Sequence, residues 1–535
     1  MAKDGPWAKT ELELKLVGAP RDVAAVRASR VIANYAESQP AAPRRLVSTY
    51  YDTGDGALRK AGIALRLREG AGERLQTIKR SKGDSAISRR EEEQRLQPGD
   101  AFPRPTGMRK AAKIIAEAKS LAPVSRILSD RTTVDLEVGK TRIEAAIDLG
   151  RVEAWRKGAP WRSAPLAEAE LELIEGDPAA LFEVAAKLIE ESGGRLRPGA
   201  LTKAEQAQRL CRRSAEIVAE SPVRLDADAD AGEALAATLR SIGARVIDVA
   251  PAIIDMRLPE GVHQMRIALR RLRSVERIYR PALASKSLRA LARRARDFAD
   301  ALGPARDWDV FLEDTLTPLA RAARDEPGGE EGFAALAAHA GALRAEAWER
   351  AASVIGSADF GRFSLDLLEA GHLEGWRRKA KKDLKSSARD FAAHALDGLL
   401  EDAREAARAI DSDDPAARHP LRIALKKLRY AAQTFRSLYK GDARKTYMAA
   451  LSRLQEDLGA VNDAVTAQRL ANEAAMGQGK LAAHAAGFIC GFHAAAAEVK
   501  AAAVGEDWRA FAAAEPFWRE AEDHPDAEDS GHSLS

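Results

Sequence analysis

The chain has 535 residues, which exceeds the usual size of one domain, so at least two domains are expected. Its formal charge of +4 is the small difference between 84 basic and 80 acidic residues, so local charge patterns are more informative than the average. The two cysteines, Cys211 and Cys490, are far apart and lack metal-ligand spacing. This excludes a disulfide framework and a cysteine zinc site, and it indicates a reducing compartment.

The hydropathy of the chain predicts a cytoplasmic protein without membrane contact. The first residues contain no apolar run of the signal-peptide type. The most apolar later stretch, residues 481–504, is rich in Ala and is interrupted by Glu498 and Lys500. Because charges in the middle of a membrane are costly, this stretch predicts a core helix.

Residues 11–16 read Glu-Leu-Glu-Leu-Lys-Leu and predict a strand with one fully charged face. Successive side chains of a strand point to opposite faces, so Glu11, Glu13 and Lys15 lie together and the three leucines lie opposite them. A solvated strand face is the ordinary interpretation of such a row. The alternative is a polar cavity that holds a cation and an anion together.

The same alternation of charged and apolar residues returns later in the first 210 residues. It is found in residues 65–68, 89–93 and 168–173. Several strands with one charged face each favour a closed barrel that is charged inside and apolar toward covering helices. With helical patches between the strands, this half is predicted to be α+β.

Beyond about residue 231 the chain changes to long helical runs rich in Ala, Leu and Arg, so this half is predicted to be all-α. An internal repeat organises it. Residues 263–273 return as residues 419–429, an offset of 156, and residues 302–307 return with the same offset. Two segments in one register predict a duplicated helical unit within a helical bundle.

Each copy of the repeat has a basic helix face opposite an apolar one. The face of the first copy contains His263, Arg266, Arg270 and Arg273, and that of the second contains His419, Arg422, Lys426 and Arg429. A solvated face is the ordinary interpretation for either helix alone. Like charges without acidic partners are mildly destabilising, however, which favours a polyanionic ligand. The two histidines are alternative metal ligands, but the neighbouring guanidinium groups disfavour a bound cation.

The first half resembles the CYTH domain of the triphosphate tunnel metalloenzymes over residues 8–212. The resemblance is carried by Glu-x-Glu-x-Lys at 11–15, Leu-Arg-Leu-Arg at 65–68, Gln-Thr-Ile-Lys at 76–79, Arg-x-Glu-x-Glu at 89–93 and Glu-x-Glu-Leu at 170–173. Gln206 and Ala207 depart from the family motif Ser-Lys-x-x-Arg-Gly. That departure affects one phosphate contact and not the fold.

The resemblance implies an antiparallel β-barrel, with covering helices, whose tunnel holds a triphosphate. The implied phosphate-binding residues are Lys15, Arg66, Arg68, Lys79, Arg89, Arg131 and Lys203. The implied ligands of Mg²⁺ or Mn²⁺ are Glu11, Glu13, Glu170 and Glu172. Catalysis is assigned to Glu11, Glu13, Lys15 and Lys79.

The second half resembles the CHAD domain, a conserved-histidine α-helical module, over residues 225–512. The resemblance rests on the two His-x-x-Arg helices and the two Leu-Gly turns of the repeat. It implies that the two basic helix faces bind inorganic polyphosphate. A linker is predicted over residues 213–224 and a disordered tail over residues 522–535.

Together the two domains resemble bacterial inorganic triphosphatases, which implies metal-dependent hydrolysis of inorganic triphosphate. Thiamine triphosphatase, nucleoside triphosphatase and adenylate cyclase are alternatives on the same fold. A non-catalytic polyphosphate-binding scaffold is an alternative of another class. Nucleic-acid binding is disfavoured because the basic helices lack interleaved aromatic residues for base stacking.

Overall fold

The computed structural model of the chain describes residues 9–70, 72–81, 87–118, 120–155, 161–210, 223–226, 228–283, 285–326, 328–379, 381–409, 418–439 and 441–519. Most of the predicted linker and the whole predicted tail lie outside these residues, so both stay predictions. The side chains of Glu11 and Arg89 also lie outside the described part.

Nine strands are found within the described residues, and they form one antiparallel sheet. They are β1 (Lys9–Val17), β2 (Arg44–Thr53), β3 (Ile63–Gly70), β4 (Glu73–Ser81), β5 (Ser88–Arg95), β6 (Leu121–Val138), β7 (Thr141–Ala154), β8 (Arg162–Glu175) and β9 (Arg197–Gly199). The order is β5-β4-β3-β2-β6-β7-β8-β1, and β5 also pairs with β1, so the sheet closes into a barrel. The short β9 adds to β1. The predicted antiparallel barrel is confirmed.

Six α-helices and a 3₁₀-helix (Val26–Ala28) accompany the barrel in the described part of this half. The α-helices are α1 (Pro20–Ala25), α2 (Arg30–Tyr35), α3 (Ala57–Lys60), α4 (Arg109–Glu117), α5 (Ala179–Glu191) and α6 (Lys203–Leu210). The strand leucines Leu14, Leu16 and Leu171 share a buried apolar core with residues of α1, α2 and α5. Burial of this outer strand face turns the alternate, charged residues toward the barrel interior.

The named elements of the second half are all helices within its described residues, apart from an isolated β-bridge between Asp230 and Ser387. Its α-helices are α7 (Ala231–Ile254), α8 (Pro259–Tyr279), α9 (Lys286–Ala301), α10 (Gly303–Val310), α11 (Thr317–Ala322), α12 (Gly329–Ile355), α13 (Ala358–His372), α14 (Ala388–Ala406), α15 (His419–Thr434), α16 (Asp442–Ala475) and α17 (Gly479–Ala513). A π-helix over Phe311–Leu316 joins α10 to α11, and short 3₁₀-helices connect others. The prediction of an all-α second domain is confirmed.

The two copies of the repeat differ in one respect. In the first copy, α9 ends at Ala301 and α10 begins at Gly303, with Pro304 in its first turn. The corresponding position in the second copy is Ala460, and α16 runs through it without a break. Proline removes a backbone donor and clashes with the preceding turn, which accounts for the helix boundary in the first copy alone.

Helix α17 is only partly the core helix that its composition predicts. One face, including Ala485 and Ile489, is buried, but Phe492 is 51% exposed and Val499 is 74% exposed. Within the described residues, the stretch Gly479–Arg519 is the one helical segment long and apolar enough to cross a membrane by length and composition. Only 11% of its most apolar window is buried. The core interpretation therefore holds for one face of α17 and is wrong for the other.

The two halves share an apolar interface. Ile247 of α7 and Leu365 and Leu368 of α13 belong to the same buried cluster as α5 and the outer face of the barrel. Arg362 of α13 also lies 3.5 Å from Glu190 of α5. The domains are therefore packed together and are not independent units on a flexible tether.

This interface predicts that Gly194→Ala is far more destabilising than Gly193→Ala. Both glycines have positive φ, +83° and +62°, so each substitution costs about 1 to 2 kcal/mol of backbone strain. A Cβ at Gly194 would also lie 2.3 Å from the backbone nitrogen of Ala358, whereas at Gly193 the nearest atom is 3.6 Å away. We expect thermal melts to show a clearly larger loss for Gly194→Ala. Equal melting temperatures for the two variants would contradict the close approach of Gly194 to Ala358.

Candidate active site

Strand β1 turns its charged residues into the barrel. Because Leu14 and Leu16 are fully packed in the outer core, Glu13 and Lys15 point to the other side of the sheet. There they line a cavity of about 510 Å³ inside the barrel. The polar-cavity interpretation of the charged strand face is the one that the structure supports.

The cavity has a mixed and strongly charged wall. Its basic lining residues include Lys15, Arg66, Arg68, Lys79, Arg131 and Lys203. Its carboxylates include Glu13, Glu91, Glu93, Glu144, Glu170 and Glu172. The structure thus brings together every predicted phosphate-binding and metal-binding residue whose side chain it describes.

One group of carboxylates is neutralised by cations. Glu170 accepts hydrogen bonds from Lys15, from Lys203 at 2.8 Å and from Arg131 at 2.5 Å. Burial opposes ionisation of Glu170, but the charges of these three residues outweigh it and hold its pKa well below the usual range. Glu170 is therefore an anionic anchor around which three cations are arranged.

Asp148 and Glu168 complete this cluster. Asp148 accepts two hydrogen bonds from Arg131, at 3.0 and 2.5 Å. Burial would raise the pKa of Asp148, but Lys203 and Arg131 lower it to about 2. Oxygens of Asp148, Glu168 and Glu170 lie within 4.8 Å of one another, a spacing that could hold a metal ion. Three cations already lie against these oxygens, however, so a metal there would have to displace them.

A second group of carboxylates forms a row across three strands. The register places Glu172 of β8 directly opposite Glu13 of β1 on one side and Glu144 of β7 on the other. Like charges directly opposite one another are destabilising. Burial, followed by the charges of Glu144 and Glu13, raises the pKa of Glu172. These residues offer only oxygen donors, the ligands preferred by Mg²⁺ and Mn²⁺.

The raised pKa of Glu172 predicts that Glu172→Gln stabilises the metal-free protein at neutral pH. The pKa of Glu172 is higher in the folded protein than in the unfolded chain. As the pH rises through this raised pKa, Glu172 becomes charged and the free energy of unfolding of the wild type falls. The glutamine of the variant does not titrate, so the variant does not lose this free energy. In a chelator, we expect the variant to melt at a higher temperature than the wild type, by a margin that grows from pH 4.5 to pH 7.5. Glu175→Gln, at an exposed position on the same strand, is the control. If the difference in melting temperature between this variant and the wild type does not change with pH, like-charge repulsion in the carboxylate row is contradicted.

The remaining cations line the wall formed by β3 and β4. Arg66 donates to Thr77 at 2.9 Å and lies 3.7 Å from Glu91. Lys79 lies 2.5 Å from Glu91. Burial and the neighbouring charge of Arg66 lower the pKa of Arg68. Guanidinium groups that repel one another in a cavity gain stability from an anion that bridges them.

Helix α6 explains the departure at Gln206 and Ala207. Lys203 reaches the carboxylates of Glu168 and Glu170, and Gln206 donates to Glu168 at 2.8 Å. Ala207 is buried in a small apolar cluster at one end of the barrel. Gln206 therefore holds Glu168, one of the carboxylates that the cations neutralise, and Ala207 contributes to packing.

Sequence reasoning assigned no role to Glu144, Asp148 or Glu168. All three alternate with apolar residues along β7 or β8, as inward-facing residues do. That signal marks them as cavity-lining candidates. Only the strand register separates Glu144, in the carboxylate row, from Asp148 and Glu168, among the cations.

The basic faces of α8 and α15 lie against each other in the second half. The guanidinium of Arg270 on α8 lies 5.9 Å from the ring centre of Tyr430 on α15, and that of Arg429 lies 5.6 Å from it. Burial and the charges of Arg422 and Arg270 lower the pKa of Lys426 to about 8. Arg270 of the first arc therefore lies beside Arg422, Lys426 and Arg429 of the second, and the surface that these four residues form between α8 and α15 is named the basic groove.

Several of these cations are short of partners. The Nε atoms of Arg270, Arg422 and Arg429 are buried and have no hydrogen-bond partner among the described residues. At the edges of the groove, Arg266 donates to the carbonyl of Ala299 at 2.5 Å. The other predicted members are placed as follows: His263 and Arg273 are partly buried on α8, and His419 is exposed at the first turn of α15.

A closed barrel with a charged interior, followed by a helical domain with an internal repeat, defines the class of this protein. The family model of the CYTH domain matches residues 9–207, and that of the CHAD domain matches residues 233–472. The chain is therefore a CYTH domain joined to a CHAD domain, as the sequence motifs predict.

Solved structures resemble one domain or the other. The CHAD domain from the plant Ricinus communis is 29% identical, covers 56% of this chain and 98% of its own, and gives a TM-score of 0.45. PptA from Streptomyces chartreusis is 18% identical over 52% of this chain and all of its own, with a TM-score of 0.41. HpAC1 from Hippeastrum is described as having a dominant triphosphatase activity. It is 15% identical, covers 37% of this chain and 95% of its own, and gives a TM-score of 0.27.

Proposed function

We propose that the CYTH domain is a metal-dependent inorganic triphosphatase that releases phosphate from tripolyphosphate, and that the CHAD domain binds inorganic polyphosphate. The proposed domain limits are residues 8–212 and 225–512, and the proposed location is the cytoplasm. The observation that carries the proposal is the division of the barrel cavity into cationic walls and a row of three carboxylates.

The cations account for substrate binding. A triphosphate is a short chain of dense negative charge, and charge-assisted hydrogen bonds to its oxygens are strong. Arg66, Arg68 and Lys79 present such donors from β3 and β4. Lys15 and Lys203 present them from β1 and α6, where Glu170 fixes their ammonium groups. Arg89 is assigned to the same group from its motif alone.

The carboxylate row accounts for metal dependence. Glu13, Glu172 and Glu144 would hold Mg²⁺ or Mn²⁺, and Glu11 is assigned to the same site from its motif. A divalent ion bound there would offset charge on the phosphates and lower the pKa of a bound water. Glu170, which the sequence predicts as a metal ligand, stays a candidate ligand and also positions Lys15, Lys203 and Arg131.

The protein's part in the reaction is positioning and electrostatics. Phosphoryl transfer needs no nucleophilic side chain when the phosphates are held in line and their charge is offset. Lys15 and Lys79, each against a carboxylate, would orient the reacting phosphate between the two walls. The cavity inside the barrel would enclose a bound chain of phosphates among these cations.

The groove between α8 and α15 supports polyphosphate binding. Three buried guanidinium Nε atoms lack a hydrogen-bond partner among the described residues, and burial together with the charges of Arg422 and Arg270 lowers the pKa of Lys426. These cations therefore lie close together and repel one another. A flexible phosphate polymer provides many charges that can adapt to such a groove. The expected binding is metal-independent and steeply dependent on salt.

A substrate panel tests the proposed reaction. Phosphate release would be measured from tripolyphosphate, pyrophosphate, thiamine triphosphate and ATP, with Mg²⁺ or Mn²⁺ and with a chelator. We expect the highest kcat/KM with tripolyphosphate and no phosphate release in the presence of the chelator. A higher kcat/KM with thiamine triphosphate or ATP would identify that compound as the substrate in place of tripolyphosphate. Formation of cyclic AMP from ATP would indicate an adenylate cyclase. Binding of tripolyphosphate without hydrolysis would indicate the scaffold alternative.

A further inference from the structure

The segment that carries Lys203 is short and packs against the barrel on one side, where Ala207 is buried in an apolar cluster. It follows β9, a strand of three residues that pairs with β1 opposite Lys15. It continues as α6, a helix of eight residues that ends at Leu210. Lys203 and Gln206 hold the barrel side of α6 through Glu168. The other side of the segment has a second support.

That support comes from helix α7 of the CHAD domain. Arg209, near the end of α6, forms an ion pair with Asp248 of α7, and Arg245 lies 3.6 Å from the same carboxylate. Arg197 of β9 lies 2.8 Å from Asp255, the residue that follows α7. Asp248 and Asp255 are seven residues apart, about two helical turns, so both face the segment from one side of α7.

Helix α7 is a rigid support. Most of its residues are buried, and Leu239, Ile242 and Val246 lie in the main core of the CHAD domain. Its Arg245 also donates to Gln264 of α8 at 2.8 Å, one residue from His263 of the first arc. Because α7 is held in this core, it offers a fixed surface to the short segment against it.

We propose that Asp248 and Asp255 are positioning residues that hold β9 and α6 in place, so that the CHAD domain completes the active site of the CYTH domain. Neither aspartate touches the cavity; each acts through the arginine of the segment it holds. The inference rests on the proposed triphosphatase function. It assigns to the CHAD domain a role in hydrolysis that is separate from polyphosphate binding.

The test compares the full chain with the double variant Asp248→Asn/Asp255→Asn. We expect kcat/KM for tripolyphosphate to fall by about ten- to a hundredfold, the size of effect produced when a binding group is misplaced by about 1 Å. KM should rise, because Lys203 is one of the proposed phosphate-binding residues. A partly unfolded preparation would instead lower kcat and leave KM unchanged. Hydrogen exchange of the α6 amides should become faster.

Two further variants serve as controls. Asp248→Glu/Asp255→Glu keeps both charges and should restore most of kcat/KM. Arg362→Gln removes a contact across the same interface, to Glu190 of α5, and should change neither the kinetics nor exchange in α6. Wild-type kinetics in the Asn double variant would overturn the proposal. If the wild type hydrolyses no tripolyphosphate, the proposed function fails, and exchange in α6 then decides the positioning role: faster exchange supports it and unchanged exchange overturns it.

Discussion

We expect Glu13→Gln to lower kcat for tripolyphosphate by at least about a hundredfold at ordinary Mg²⁺ concentrations. The substitution removes one charge from the carboxylate row, which weakens metal binding and the activation of water. Glu13 faces the cavity and is not part of the apolar core, so folding should survive. Phosphate release and a thermal melt of the same preparation provide the measurement.

Glu13 also lies 2.7 Å from Lys15, so a loss of activity has two possible physical causes. Titration with Mg²⁺ or Mn²⁺ separates them. A weakened metal site is partly rescued by excess metal, whereas a displaced Lys15 is not. Glu137→Gln, at an exposed position of β6, is the control for the effect of replacing a glutamate by glutamine outside the carboxylate row. Near-wild-type turnover of Glu13→Gln with an unchanged melt would refute the assignment of the row as the metal site.

The second large effect is expected in the basic groove. Reversing Arg270 and Lys426 to Glu together should weaken binding of long-chain polyphosphate by at least about a hundredfold at near-physiological salt. Each lost charge-assisted contact costs about 1 to 3 kcal/mol, and the two new carboxylates add repulsion. Hydrolysis of tripolyphosphate should stay within about twofold of the wild type, because neither residue lines the barrel cavity.

A matched control distinguishes the effect of charge reversal in the groove from the effect of a change in net charge. Arg350→Glu/Arg404→Glu makes the same change in net charge on exposed helix faces, where each arginine lies near a glutamate of its own helix. It should reduce polyphosphate binding only slightly and leave the dependence on salt intact. Retention of labelled polyphosphate on a filter gives both quantities. Equal retention by the wild type and the groove variant would show that the arcs are solvated helix faces.

The inward direction of Glu13 and Lys15 could be predicted because strand periodicity is a local property. Once Leu14 is recognised as core, the neighbours on either side must face the other way. The basic arcs of α8 and α15 follow in the same way from helical periodicity. The offset of the repeat then indicated that both arcs belong to equivalent helices, although not that they meet.

The partners of each inward-facing residue could not be predicted. Glu170 and Glu172 are two residues apart and have the same pattern, yet one is surrounded by cations and the other by carboxylates. The difference arises from the register of β8 against β1 and β7, and from the position of α6. Both depend on residues far apart in the sequence.

The sequence by itself determined the two domains, the faces of their strands and helices, and the presence of dense charge inside the first and along the second. Each of these follows from local periodicity or from motifs within one element. Only the tertiary structure decided that Glu144 completes the carboxylate row, that α17 leaves an apolar face exposed, and that α7 supports the segment of Lys203. These features are contacts between distant segments, whose geometry is set by packing and strand register, and no local pattern encodes them.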